Sequence, residues 1–273
     1  MMHNGGRLMS ERFSLDQIQE FWTKQANKYG KSAKASWSDH SAIEMEIREI
    51  IKYLNDGERV LDVGCANGYS TVQFAFRKQL IIKGIDYIPE MIEQARLRLD
   101  NINDKAKEAI EFDVGNILDL NEASNHYDKV VVTRVIINLG DWPRQRKGLL
   151  ECVRVLKQGG VLLLSEATLQ GWQQLNKFRR EWCLQDIPMP LFNQYLDEDN
   201  VIKLLSSDMK LINIENFSST YYVGTRILKP LLNQAIGSKI DVSNPDMEWN
   251  RWFSLLPSWG NYGVQKLFIF QKK

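Results

Sequence analysis

Apolar residues recur every three or four positions between residues 13 and 29, through Phe13, Leu15, Ile18, Phe21 and Trp22, and that period predicts a helix with one buried face. Ser14 stands where a helix N-cap belongs, and Gln17 follows three residues on as its capping-box partner. A second helix is predicted over 39–54. The period then changes. Arg59-Val60-Leu61-Asp62-Val63 is a short apolar run between Asp56-Gly57 and Gly64, which suits a strand buried on both faces. Ala66-Asn67-Gly68 opens an amphipathic stretch that runs to Arg77. Strands are predicted over 80–86, 109–113, 127–133 and 160–166, with helices over 89–99 and 143–156. Pro89 and Pro143 fall in first helical turns, where proline is tolerated. Gly159-Gly160 reads as a stop after the helix and a turn into the next strand. Strands alternating with helices predict an α/β protein whose largely parallel sheet carries helices on both faces. Right-handed crossovers then bring the C-terminal strand ends to one edge, where ligands bind.

Beyond residue 166 the alternation breaks. A helix carrying Trp172, Phe178 and Trp182 is predicted over 170–185, followed by a bend at Ile187-Pro188-Met189-Pro190. A short helix over 197–206 and a strand over 210–219 come next. Residues 228–252 read as mixed helix and loop, and 264–271 as a closing apolar strand. Two aromatic-rich insertions therefore flank the last strands.

The 273 residues suit one large domain or two small ones, with room for an ample core. Thirty-five Lys and Arg against 34 Asp and Glu leave a formal charge of +1, so nothing electrostatic points to nucleic acid as a partner. Cys65, Cys152 and Cys183 are odd in number, widely spaced and without a CxxC pair, as expected of reduced thiols in a cytoplasmic protein that holds no zinc. No apolar run approaches the ~20 residues that span a bilayer. The Gly-containing stretch before Phe13 lacks the apolar segment of a secretory signal and reads as a flexible leader over 1–12.

Val60-Leu61-Asp62-Val63-Gly64-Cys65-Ala66-Asn67-Gly68 resembles motif I of class I S-adenosylmethionine (SAM)-dependent methyltransferases. A strand ends there and the backbone turns tightly, so close to a ligand that side chains hinder. Gly64 and Gly68 meet that need; Ala66 stands where the family has its middle glycine, and Asn67 tolerates unusual φ values. A dinucleotide-binding turn would read G-x-G-x-x-G, whereas position 71 here is Thr71. In the family's pattern Asp62 helps orient the methionine moiety. Asp86, closing the second strand, is placed to accept hydrogen bonds from both ribose hydroxyls, a feature shared with NAD binders. Glu111-Phe112-Asp113-Val114-Gly115-Asn116-Ile117 resembles the family's adenine-binding element, with Asn116 on the amino group and Ile117 on the ring. Leu149 to Gly160 resembles its "L…R-x-L-K-x-G-G" element before strand five. The resemblance is specific over 56–168 and looser beyond.

It implies a Rossmann-like fold of seven mostly parallel strands, the last antiparallel and inserted beside the sixth. The expected layout is N-terminal helices over 13–55 forming a lid, a cofactor-binding core over 56–168, and substrate-cover insertions with the last strands over 169–273. The implied cofactor is SAM, with no metal. Its contacts are Asp62, Gly64, Ala66, Asn67, Gly68, Asp86, Tyr87, Asn116, Ile117, Thr133 and Arg134, with Trp37 and Tyr29 either joining them from the lid or packing in the core. Arg134 either holds a carboxylate of cofactor or substrate or pairs with Asp128 or Glu166. His40 is the one histidine placed to act as a general base; His126 reads as a surface turn and the cysteines as inert, packed residues. Lys177, Arg179 and Arg180 read as a solvated helix face.

The expected reaction is methyl transfer to an oxygen or nitrogen of a small or medium polar metabolite, walled by Trp172, Trp182, Trp249, Trp252 and Trp259. The expected partner is that small molecule alone, with no nucleic acid or membrane, and the chain a monomer or homodimer. Nucleic-acid amino-methylating enzymes carry [Asp/Asn]-Pro-Pro-aromatic after the fourth strand, where this chain reads Thr133-Arg134-Val135-Ile136. The Pro-Cys nucleophile of cytosine C5 enzymes and the acidic ligand set of catechol-type enzymes are not found. A non-catalytic SAM-binding regulatory protein and an NAD-dependent oxidoreductase remain as alternatives.

Overall fold

The computed structural model describes residues 12–100, 108–237 and 240–273. The leader expected over 1–12 lies, but for Arg12, outside them.

Seven strands form one sheet in the order β3-β2-β1-β4-β5-β7-β6. They are β1 (Arg59–Val63), β2 (Ile81–Asp86), β3 (Ile110–Val114), β4 (Tyr127–Thr133), β5 (Leu156–Ala167), β6 (Met209–Glu215) and β7 (Gln265–Lys272). The first five pair in parallel. β7 runs antiparallel between β5 and β6, as expected for the sixth and seventh strands.

The central strands are largely apolar because both faces are covered, and their apolar side chains alternate between two cores. Leu61, Val130, Val132, Leu162, Leu164, Phe268 and Phe270 enter one. Val60, Val131, Leu163, Leu267 and Ile269 enter the other. Helices α1 (Leu15–Tyr29), α2 (His40–Ile51), α3 (Tyr69–Arg77) and α4 (Pro89–Leu99) precede the third strand; α2, α3 and α4 supply Ile43, Ile47, Phe74 and Ile92 to the second core. Helices α5 (Trp142–Val155), α6 (Leu169–Glu181) and α7 (Glu198–Leu205) supply Leu149, Leu175 and Val201 to the first.

The capping box of α1 is present: the Gln17 amide donates to Ser14 Oγ at 3.2 Å, and Gln17 Oε1 accepts from the Ser14 amide at 2.8 Å. The helices expected over 39–54 and 170–185 end earlier, at Ile51 and Glu181, and two further boundaries differ in the sheet. Gly159-Gly160 does not separate a helix from a strand. α5 stops at Val155, Leu156 already pairs with Tyr127, and pairing resumes at Val161 opposite Lys129. Residues 157–160 are an excursion within β5, made possible by Gly159 at φ +75°. β6 ends at Glu215, not near 219. Ser218 Oγ donates to the Gln265 carbonyl and Ser219 begins a helical segment, so these hydroxyls serve the turn. That segment is α8 (Ser219–Val223), a π-helical turn (Gly224–Leu228) and α9 (Lys229–Ala235), with α10 (Glu248–Phe253) after it. Among the described residues no helix is long and apolar enough to cross a membrane.

Candidate active site

Where β1 ends, the chain cannot continue straight because β2 claims it: the Gly64 and Cys65 amides both donate to the Ile85 carbonyl, at 2.7 and 2.9 Å. Gly64 sits at φ +74°, and a Cβ there would lie 2.0 Å from Val135 Cγ2. Ala66, at φ +48°, turns its amide onto Asp86 Oδ2 at 2.9 Å. Gly68, at φ +73°, caps α3 with no side-chain hydrogen bond; a Cβ there would meet Phe112 Cζ at 2.5 Å. So Gly64 and Gly68 are bare as expected, but Gly68 is required by Phe112 behind the turn and does not itself face the cavity.

Asp86 Oδ1 also accepts from the Ile88 amide at 2.9 Å. Burial pushes this carboxyl up to about 6 against those backbone donors, which leaves it ionised at neutral pH. Asp62 is buried deeper: Thr71 Oγ1 donates to its Oδ2 at 2.6 Å, its Oδ1 has no partner among the described residues, and burial raises it to about 7. Asn67 Nδ2 donates to the carbonyls of Gly30 and Ser32, both at 2.7 Å, tying the turn to the segment after α1; its Oδ1 is buried without a partner.

A cavity of about 550 Å³ opens over this sheet edge. Asp62, Gly64, Ala66, Asn67, Asp86 and Tyr87 line it from β1 and β2, Asn116 and Ile117 from the end of β3, and Thr133 and Arg134 from the end of β4. Trp37 lines it from above. Tyr29 does not; it packs on the small cluster of Ala26, Ala35, Ile88 and Met91. His40 does not either. It borders a separate hollow with Glu44, Arg48 and Asp246, its ring 5.7 Å from that of Tyr69, so it is removed as a candidate base. His126 sits on a turn beside Arg59, 3.0 Å from its guanidinium.

Arg134 takes a partner the sequence reading did not name. It pairs with Glu46 of α2, not with Asp128 or Glu166, and its guanidinium lies 5.1 Å over the Trp37 ring. Glu46 is 1% exposed and also accepts from Ser165 Oγ at 2.5 Å and Gln265 Nε2 at 3.0 Å. Its signal was present in the chain. Glu46 shares the α2 stripe of Ile43, Ile47 and Ile50, and a charge on an apolar stripe announces a buried partner. Glu166 holds the amides of Val135 and Ile136, at 2.8 and 2.7 Å, and burial pushes it up to about 8.

The rest of the wall comes from α1 and from 187–195. Phe21 stacks on Phe192 at 4.6 Å, Trp22 meets it edge-on, and the Phe13 amide donates to the Leu191 carbonyl at 3.2 Å. Trp172 donates to the Ile187 carbonyl and meets Tyr195 edge-on. Tyr222 and Arg226 reach the cavity from α8 and the π turn. Of the five tryptophans expected as walls only Trp172 serves. Trp182, Trp252 and Trp259 are exposed, and Trp249 packs in the core on Phe253. Cys65 and Cys152 are buried, but Cys183 is exposed at φ +55°, because α6 ends two residues earlier. Arg180 pairs with Asp186 and Arg179 donates to the carbonyls of Gln185 and Arg226, so two members of the basic cluster brace a turn while Lys177 stays exposed.

A sequence model described as a methyltransferase domain matches residues 54–230. The O-methyltransferase rstn1 of Aspergillus nomiae is 32% identical over 132 residues, 48% of this chain and 56% of that protein. The match thus spans about half the length of that relative. Among solved structures, the [4+2]-cyclase SpnF aligns at TM-score 0.61 and 16% identity, covering 96% of this chain and 98% of that one. The N-methyltransferase NodS from Bradyrhizobium japonicum, in complex with S-adenosyl-L-homocysteine, aligns at TM-score 0.53 and 15% identity, covering 92% and 98%. At such identities these structures speak to the fold alone.

Proposed function

The chain belongs to the methyltransferase-domain family of class I SAM-dependent enzymes, and on that premise we propose that it moves a methyl group from SAM to an oxygen or nitrogen of a small or medium metabolite. Oxygen is the preferred acceptor atom, since one relative, rstn1, is an O-methyltransferase. One observation carries the reading: a single cavity joins the bare turn and Asp86, at the ends of β1 and β2, to an aromatic chamber over β4, β5 and β7.

The residues fit the cofactor. Gly64 brings bare backbone to the cavity, Asp86 offers an ionised carboxylate, and Asp62 and Asn67 keep buried oxygens that lack a partner among the described residues. Asn116 and Ile117 stand past Asp86 for the adenine, and Thr133 and Arg134 border the acceptor side. SAM supplies the electrophile, a methyl group on a positively charged sulfur, so the protein's work is alignment and exclusion of water. Trp22, Phe192 and Trp172 close the chamber from above. No histidine among the described residues lines it, and burial pushes the Tyr195 hydroxyl up to about 12. Neither kind of side chain is therefore poised to take a proton there at neutral pH, which favours acceptors that ionise on their own.

S-adenosylhomocysteine at ~100 times its Kd should stabilise the protein by about 2.7 kcal/mol, while NAD should not. Asp86→Asn sets an amide against one of the two backbone donors and should weaken that binding ~10- to 100-fold by calorimetry. Stabilisation by NAD alone would overturn the reading. Cofactor binding without transfer of labelled methyl to any acceptor would leave a non-catalytic SAM-binding protein.

A further inference from the structure

The acceptor end of the cavity sets a cluster of hydrogen-bond donors among aromatic walls. Arg226 lies on the π turn four residues after Tyr222, and both side chains line the chamber opposite Tyr195. One Arg226 nitrogen donates to Asp39 Oδ2 at 3.2 Å, and the guanidinium carbon lies 5.8 Å from the Tyr222 ring centre. A guanidinium has five N–H donors in a planar fork, so most of this one's remain for a ligand. Neither the Tyr195 nor the Tyr222 hydroxyl makes a hydrogen bond to any described residue, although Tyr222 lies within electrostatic reach of Arg226, Tyr195, Asp39 and Arg134.

Charge points the same way. Arg179 and Lys229 stand close enough to Arg226 to repel it. Arg179 spends its hydrogen bonds on carbonyls, and Lys229 Nζ is held at 2.8 Å by the Asn244 carbonyl and by Asn250 Oδ1. Asp39 is the direct carboxylate partner of this group, and it also serves the Ala42 amide and Tyr221. Asp186 faces Arg179 and Asp241 faces Lys229, so Arg226 has Asp39 as its own carboxylate and keeps the rest of its fork for a ligand. Arg226 is well placed for the acceptor and not the cofactor: Asp86 and Asn116 mark the cofactor half at the ends of β2 and β3, on the far side of β1 from this group.

We propose that Arg226, with the hydroxyls of Tyr195 and Tyr222, recognises a carboxylate on the methyl acceptor, and that the acceptor is a flat, largely apolar acid whose body lies against Trp172 and Phe192. This rests on the methyltransferase reading and names the substrate class for it. A carboxylate offers only acceptors, which suits a guanidinium and two hydroxyls that can all donate to it, and a guanidinium fork binds it with two parallel bonds. The aromatic walls supply area for the rest of the molecule.

The test is calorimetric. Protein saturated with S-adenosylhomocysteine is titrated with 3,4-dihydroxybenzoate and 3-hydroxy-2-naphthoate, and with the methyl ester of each. At least one acid should bind ~10-fold or more tightly than its ester. Arg226→Gln should abolish that preference while S-adenosylhomocysteine affinity stays within about twofold. Tyr222→Phe, which removes a hydroxyl with no hydrogen-bond partner among the described residues, should weaken acid binding ~3- to 10-fold with an unchanged melting temperature. Equal binding of acid and ester, no binding of either acid, or a preference that survives Arg226→Gln would overturn the proposal. So would a parallel loss of S-adenosylhomocysteine binding in Arg226→Gln, which would give Arg226 to the cofactor. Failure of the wild-type protein to bind S-adenosylhomocysteine at all would fell the parent reading, and this one with it.

Discussion

At the scale of single residues the site is governed by buried carboxylates, of which Asp86 and Glu166 hold backbone amides. Glu166 is the clearest. Its Oε1 carries the amides of Val135 and Ile136 just past β4, while its Oε2 is buried with no partner among the described residues. Desolvation raises it from an ordinary 4.5 to about 8. Between those values the folded protein holds a proton that the unfolded chain has released, so stability falls as pH rises through the window and levels off above it. Glu166→Gln keeps the accepting oxygen and removes the titration. Its melting temperature should therefore exceed the wild-type value by more at ~pH 8.5 than at ~pH 5, read by scanning calorimetry; parallel curves would refute the assignment. Glu46 and Arg134 show how far residue identity carries. A charge on the α2 stripe and a basic residue after β4 were both visible in the chain, but not that they meet, because they lie 88 residues apart and come together only when α2 packs across the sheet edge.

At the scale of elements, local signals placed most boundaries. Ser14 and Gln17 start α1, Asp141 caps α5 and Asp197 caps α7 through hydrogen bonds that span three residues. The failures came where a distant strand overrode local preference. Leu156 reads as the last residue of a helix, yet pairing with Tyr127 makes it the first of β5. What α1 covers was equally hidden. Its apolar face is closed by Phe192, from a segment that the sequence describes only as a proline-rich bend. Phe192→Ala should detach α1 from the chamber at a cost of about 1–3 kcal/mol, because the ring packs on both Phe21 and Trp22. Hydrogen exchange should then show α1 amides opening roughly tenfold or more faster, with β1 and β4 unchanged; equal acceleration in the strands would mean that the whole fold had loosened instead.

For the whole molecule, the decisive strand is β7. It comes last in the chain yet lies between β5 and β6, with Leu267, Phe268, Ile269 and Phe270 no more than 2% exposed. Side chains of this kind are worth about 2–5 kcal/mol each, against roughly 5–15 kcal/mol for a whole domain. Removing Gln265–Lys272 should abolish cooperative melting and near-ultraviolet circular dichroism, whereas an intact transition would show that the parallel half of the sheet folds without it.

What the amino-acid sequence determined alone is whatever depends on neighbours along the chain. The apolar runs of β1 and β4, the glycine turn at 64–68, the acidic end of β2 and most helix caps are short-range, so their physics is complete within a few residues. They were enough for the α/β sheet and for the family resemblance. Only the tertiary structure decided who lines the acceptor chamber. Trp172 entered it while Trp182, Trp252 and Trp259 stayed in solvent, and Tyr195, Tyr222 and Arg226 arrived from segments with no distinctive period. A side chain's type says what it can bind. Which cavity it faces is set by packing between elements far apart in sequence, and no local pattern encodes that.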